Sequence, residues 1–567
     1  MTPITKSLIH ERWNAYRTKN WPRYNFLKVK VKKEIMRAKR LWADNMKRSQ
    51  EGLWKLVKAT RHGPRGNDGF EQVIVNEGGL ENVIQRLVTS SSTFDPHSAD
   101  DTSAQTTECY VNSLVDDNWN VVISEEEVLS HIRRLNARKS SGDEKIPTKI
   151  YVTIADHIAE PLARIYRSCI DQRQFPLAWK QGITIPIPKT KPVDLEKIRL
   201  ITLTSPLAKI FEKIILKKTS DLFYSSYGNA QHGFRKHAST TTALIELTHS
   251  FLSHYDDKNV FCIAVANFDL SQAFDKVDHD LLVKRLHECA FPTGLIKLLY
   301  SYLCNRSSRI KLRTGISAPI RVTQGVPQGS VLGPLLFCVY TSDFYPKWES
   351  TTLIKYADDL NLIIPFHTKN PDAINQRIAE ELAHLESWCT RKKLHLNLTK
   401  SNVMFYSRQA LGITANPLPL PVVDVVKVLG VQLNKDLNWN AHCEVVCKKA
   451  NQRFHYLRRL KQLTTPEELH QIYTACIRSL LEYACPVFVG LNKKLENAFK
   501  RIDKRAHKII CGCYQAALCG CTENTLSQRR EEISKKLFRE IRLNSHHLLH
   551  SYPVSYTHLT LPTILLV

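Results

Sequence analysis

Short apolar runs that end in acids constrain this chain more than any other feature. Phe261-Cys262-Ile263-Ala264-Val265-Ala266 reads as a buried strand with Asp269 at its end. Leu353-Ile354-Lys355-Tyr356 and Leu360-Asn361-Leu362-Ile363-Ile364 read as two further strands. The residues between them, Asp358-Asp359, are expected to form the turn of a β-hairpin. A strand end beside a hairpin tip gathers three carboxylates into a small space. Such a cluster is electrostatically unstable unless cations fill it. Carboxylate oxygens select hard ions, Mg²⁺ above all. Two ions held this way serve phosphoryl transfer, one on the attacking oxygen and one on the leaving oxygen.

The first acidic block is Phe268-Asp269-Leu270-Ser271-Gln272-Ala273-Phe274-Asp275 and the second is Tyr356-Ala357-Asp358-Asp359. Three more blocks accompany them: Trp179-Lys180 with Pro186-Ile187-Pro188-Lys189, then Gln231-His232-Gly233-Phe234-Arg235, then Gln324-Gly325-Val326-Pro327-Gln328-Gly329-Ser330-Val331-Leu332-Gly333-Pro334. In this order they resemble the reverse transcriptases of non-LTR (LINE-type) retrotransposons, over roughly residues 123–542. The resemblance implies an α/β (α+β) right-hand polymerase, with fingers, an antiparallel palm sheet and a helical thumb. It implies an RNA-directed DNA polymerase that uses dNTPs, an RNA template and a DNA primer or target DNA. It also implies two Mg²⁺ ions, for which Mn²⁺ can substitute.

Carried over by position, Asp269 and Asp358 touch both ions, Asp359 supports them, and the carbonyl of Leu270 is a further ligand. Phe274 matches the family's steric gate against a ribose 2′-OH. Arg199 matches the fingers residue that grips the triphosphate, although Leu200 stands where the family usually has proline. Lys189 is a second candidate for that task. Gln328 and Gly329 match the segment against template and nascent base pair, and Gly325 and Gly329 let backbone approach a ligand. Lys400 matches the palm lysine proposed as general acid to pyrophosphate. Gln231, Gly233, Phe234 and Arg235 resemble the template-contacting block, and Leu429-Gly430 the hairpin that grips the primer end. Asp275 is expected to cap the helix that follows it.

Charge agrees with a nucleic-acid partner. The formal net charge is +26, and residues 1–65 hold 18 Lys/Arg against 4 Asp/Glu, a local excess of +14. Trp21, Tyr24, Trp42 and Trp54 interleave with those cations, which favours phosphate contact plus stacking over a merely solvated face. No signal peptide and no run of 18 apolar residues is visible, so neither secretion nor a membrane span is expected. The expected location is cytoplasmic as a ribonucleoprotein and nuclear at the target site. The 15 cysteines are scattered, as free thiols in a reducing compartment are. Cys511, Cys513, Cys519 and Cys521 near His507 have spacing unlike the common zinc motifs, and free thiols are the plainer reading.

The expected organisation is a basic helical segment at 1–66, a flexible linker at 67–120, fingers at 121–257, palm at 258–435, and thumb with C-terminal region at 436–545. Residues 552–567 break with the basic helical text and resemble translated adapter sequence. Ser124 with Glu127, and Thr465-Pro466 with Glu468, are expected capping boxes. No nuclease region is visible ahead of the polymerase blocks and no RNase H acidic set follows them, so neither activity is expected. A group II intron maturase and a non-catalytic RNA-binding remnant of a decayed element are the alternatives.

Overall fold

The computed structural model describes residues 2–47, 52–62, 70–91, 101–139, 141–190, 192–407, 420–436, 438–512 and 525–552. The chain divides into two units, one of residues 67–429 with 546–552 and one of residues 1–66 with 430–545.

Among the described residues, eight strands of the larger unit form its two four-stranded sheets. They are β1 (Gln181–Pro188), β2 (Ile198–Leu203), β3 (Cys262–Phe268), β4 (Arg306–Ile310), β5 (Ile320–Val322), β6 (Thr352–Tyr356), β7 (Asp359–Phe366) and β8 (Asn402–Ser407). Four of them form a sheet in the order β6-β7-β3-β8, antiparallel throughout. β3 lies at its centre, and Cys262 through Ala266 are buried without a break, as a non-alternating apolar run requires. This is the expected palm sheet. Helices cover it, and their apolar faces complete one large core that includes Leu282, Leu286, Leu336, Phe337, Ile378 and Leu385. Each such side chain contributes about 1.5–3 kcal/mol on burial.

The other sheet has the order β2-β1-β4-β5. β1 pairs antiparallel with β2 and parallel with β4. Half of this fingers sheet therefore comes from 306–322, inside the segment expected to be palm. Sheet partners are chosen by burial in three dimensions, so this sheet takes strands from both sides of the expected boundary.

The stretch expected as a linker at 67–120 is largely helical where described: Phe70–Asn76, Leu80–Ser90 and Asp101–Ser113. Val83, Ile84, Leu87 and Val88 sit at helical spacing and pack with Leu195, Ile310 and Leu312 of the fingers. Glycine and polar content suggested disorder, but the four apolar positions outweigh it by burial.

The smaller unit joins the basic helices Pro3–Arg17, Trp21–Lys47 and Gly52–His62 to C-terminal helices. Lys47 pairs with Glu468 at 3.0 Å, and the Arg40 guanidinium donates to the carbonyl of Gln462 at 3.3 Å. The basic segment thus shares a unit with the thumb instead of standing alone. Thr465 and Glu468 form the expected reciprocal capping box. Ser124 accepts the Glu127 N–H, but the Glu127 carboxylate pairs with Lys217 at 2.8 Å, so only half of that box forms. The expected helix after Thr465 runs to Tyr473, passes through a π-helical turn at Thr474–Arg478 and resumes at Ser479–Glu482. Among the described residues no helix is long and apolar enough to cross a membrane. Tyr552 packs edge-on against His249, with ring centroids 4.6 Å apart, and the rest of the expected non-native tail lies outside the described residues.

Candidate active site

The β6–β7 register pairs Tyr356 with Asp359, so the hairpin turn is Ala357-Asp358, one residue earlier than expected. Asp359 opens β7. Ala357 has φ +57°, at the position where tight hairpins usually place glycine. On the neighbouring strand, Phe268 pairs with Leu360, and Asp269 follows one step beyond. That step sets Asp269 against Asp359 at the same end of the sheet as the turn. Directly opposed residues of antiparallel strands lie about 4.5–5.5 Å apart.

Backbone bonds pin Asp269. Its N–H donates to Ser401 Oγ at 3.3 Å and its carbonyl accepts from Asn397 N–H at 2.8 Å. The next backbone bond runs from Ser271 N–H to the His395 carbonyl at 2.8 Å. Leu270 sits between these two bonds, opposite Leu396, so its own N–H and carbonyl point away from the 395–397 segment. Lys400 Nζ stands 3.1 Å from Asp269 Oδ2.

The carboxylates feel one another. Burial raises the pKa of Asp358 above the usual carboxylate range, the negative charge of Asp269 adds to this, and Arg199 and Lys189 oppose it. Asp359 is pushed up to about 6, first by the protein mass around it and then by Asp358 and Asp269, even though its side chain reaches solvent. Arg199 is on β2 and Lys189 follows β1; both are exposed and within electrostatic reach of Asp358.

An all-oxygen donor set whose members resist joint ionisation suits a hard divalent cation. Among the described residues no three His, Cys, Asp or Glu side chains already converge as a ligand set. The acids fit the ion by chemistry and by mutual repulsion, and Asp269 turns to Lys400.

Phe274 is half-buried. Its ring stacks on Phe337, with centroids 4.4 Å apart, and meets Phe234 edge-on at 6.3 Å. Its carbonyl accepts the Val326 N–H at 2.9 Å, which ties it to the glycine loop. That loop is anchored by protein on several sides. Gln328 Nε2 donates to both oxygens of Asp275 at 2.8 and 2.9 Å, and the Gln328 carbonyl accepts the Thr202 N–H at 2.8 Å. A Cβ on Gly325 would come within 2.7 Å of the Asp275 carbonyl, and one on Gly329 within 2.5 Å of the Thr202 carbonyl. Both glycines thus make room for protein backbone. Asp275 does not cap the following helix. Asp278 does, accepting the Leu281 N–H at 2.9 Å.

Glu212 is a residue that sequence reasoning missed. It is 1% exposed, and its carboxylate accepts N–H groups of Val331 and Leu332 at 2.7 and 3.0 Å, just ahead of the helix Gly333–Tyr340. Burial raises its pKa, while these N–H groups hold it down. An acid between Phe211 and Ile214-Ile215 on the apolar side of a helix was the available signal.

The Gln231–Arg235 block is divided. Gln231 is fully buried and touches the Ala357 turn. Phe234 is 44% exposed with φ +58°. Arg235 donates to the Gly228 carbonyl at 2.7 Å. Leu429 and Gly430 have φ +45° and +87°, as a tight turn requires. Cys513, Cys519 and Cys521 lie outside the described residues, and His507 Nε2 is 3.5 Å from Asp503.

Residues 187–433 match the family profile described as reverse transcriptase (RNA-dependent DNA polymerase). Residues 439–479 match the profile of alkylated DNA repair protein alkB homolog 8, N-terminal. The chain is 30% identical to the probable RNA-directed DNA polymerase from transposon BS of Drosophila melanogaster, over 74% of this chain and 48% of that protein. It is 29% identical to the RNA-directed DNA polymerase from mobile element jockey of the same fly, over 56% of this chain and 36% of that protein. It therefore spans about half the length, or less, of these curated relatives. Among solved structures it is similar to telomerase from Candida tropicalis in complex with a fragment of telomeric RNA, at 11% identity and a TM-score of 0.36, covering 71% of this chain and 68% of that one.

Proposed function

We propose, from the premise that this chain belongs with the LINE-type reverse transcriptases, that it copies RNA into DNA by adding dNTPs to the 3′ end of a DNA primer or of target DNA. The observation that carries the reading is the placement of Asp269, Asp358 and Asp359 at one end of the β6-β7-β3-β8 sheet, with Asp358 opposed by the cations Arg199 and Lys189.

Asp269, Asp358 and Asp359, with the Leu270 carbonyl, would hold two Mg²⁺ ions, or Mn²⁺. Such ions activate the primer 3′-OH and neutralise the leaving pyrophosphate. Arg199 and Lys189 orient the triphosphate, and the guanidinium suits phosphate because it forms two parallel hydrogen bonds. Lys400, released from Asp269, gives a proton to the departing pyrophosphate. The Phe274 ring, backed by Phe337, excludes a ribose 2′-OH by occupying its volume. Gln328 and Gly329 present the glycine loop to the nascent base pair, and Phe234 and Arg235 face the template strand. Leu429-Gly430 supports the primer end.

The test is primer extension on poly(rA)/oligo(dT) with Mg²⁺. The wild-type chain should extend the primer. Asp358→Asn should abolish extension and leave template binding nearly intact, because binding rests on distant basic surface. Appreciable activity in that variant overturns the site. Binding without extension by the wild type favours the non-catalytic remnant.

A further inference from the structure

Gln231 was expected at the template, but its carbonyl is turned the other way. The residue is 0% exposed. Its Oε1 accepts the Ala357 N–H at 3.0 Å and the Gly233 N–H at 2.9 Å. Both partners are donors, so the amide orientation follows from the network. The Nε2 side is buried with no hydrogen-bond partner. A buried amide that leaves its donor idle is retained for its acceptor. The backbone beside it runs along β6: Lys355 N–H donates to the Ala230 carbonyl at 2.8 Å, and His232 N–H to the Lys355 carbonyl at 2.9 Å. Gly233 leaves the space, since a Cβ there would stand 2.7 Å from the Ala357 nitrogen. Ala357 itself is held at φ +57°, a strained value for a residue with a Cβ.

We propose that Gln231 is a positioning residue for catalysis, which holds Ala357 in its left-handed conformation and thereby aims the Asp358 carboxylate at the metal site. It works through the turn and touches neither template nor nucleotide. Without the Oε1 acceptor, the Ala357 N–H is buried unpaired and the turn relaxes toward negative φ. Asp358, within the turn, and Asp359, which opens β7, then lose their common aim.

The inference rests on the polymerase reading. An inactive wild type on poly(rA)/oligo(dT) fails that reading, whereas an active wild type with an unaltered variant fails this one. The test compares wild type, Gln231→Met, which keeps length and loses the acceptor, and Gln231→Glu, which keeps the acceptor. The measurements are kcat, primer–template Kd, and the Mg²⁺ concentration at half-maximal rate. Gln231→Met should lose about 10- to 100-fold in kcat, as for a buried donor left unpaired, and should need more Mg²⁺. Its primer–template Kd should match the wild type. Gln231→Glu should retain more activity than Gln231→Met, because it keeps the acceptor for the Ala357 N–H.

Ala357→Gly should blunt the Gln231→Met loss, since glycine holds a positive φ without help. A weakened Kd with unchanged kcat overturns the proposal and returns Gln231 to the template. Unchanged kinetics or strictly additive losses also overturn it. If Gln231→Met does not fold, Gln231→Glu decides, and a primer–template Kd that weakens with kcat unchanged overturns the proposal.

Discussion

The acids at the sheet end have a thermodynamic signature of their own. Asp359 has a folded pKa near 6 against an ordinary value of 3.8. The folded state therefore binds more protons than the unfolded chain between those values, and this residue's contribution to stability falls as pH rises through that window. Asp359→Asn removes the repulsion. It should raise the melting temperature of the metal-free protein at pH 7, with the gain shrinking as pH drops to 4. A gain that does not depend on pH would mean that Asp359 is not strained by its neighbours. The same residues show where local text was readable. Asp269, Asp358 and Asp359 stood at the ends of strand-like runs, and strand and turn are short-range consequences of apolar sequence. Asp275 was misassigned as a helix cap because its partner, Gln328, lies 53 positions away. No spacing rule reaches that far.

At the scale of elements, the helix Leu80–Ser90 carries the sharpest revision. Leu87 is 1% exposed and packs in a cluster with Leu195, Ile310 and Leu312. Leu87→Ala should destabilise the larger unit by about 2–5 kcal/mol in urea unfolding, the usual range for a buried leucine. A loss within about 0.5 kcal/mol, typical of an exposed position, would return the segment to a linker. The helix was present in the spacing of Val83, Ile84, Leu87 and Val88. It was overlooked because the glycines and polar residues around it were weighed over the whole stretch. The fingers sheet was less accessible still, since β4 and β5 arrive from more than a hundred residues after β1 and β2.

For the whole molecule, the basic N-terminal helices are packed with the C-terminal helices, so cutting them away would also remove the buried Leu56 and Val57 from that packing. Neutralising exposed cations is the cleaner experiment. Lys28, Lys32 and Lys39 are exposed on the helix Trp21–Lys47, near exposed Trp21, Phe26 and Trp42. Changing all three lysines to Gln should weaken single-stranded RNA binding and flatten the slope of log K against log salt by about 0.7 per lost contact. The melting temperature should hold. An unchanged slope would show that this charge is solvated and touches no nucleic acid.

The sequence by itself determined the chemistry. It put acids at strand ends and a hairpin tip, glycines in a loop and cations in excess at one end, because these are properties of residue type and short-range periodicity. Only the tertiary structure decided which carboxylate met which cation, that Gly325 and Gly329 make room for protein backbone, and that Gln231 turns to Ala357. Such pairings are settled by which polar groups are left unsatisfied once the apolar faces have closed. Closure joins positions more than a hundred residues apart, so the partner of a buried amide is written in the packing and not in its neighbours along the chain.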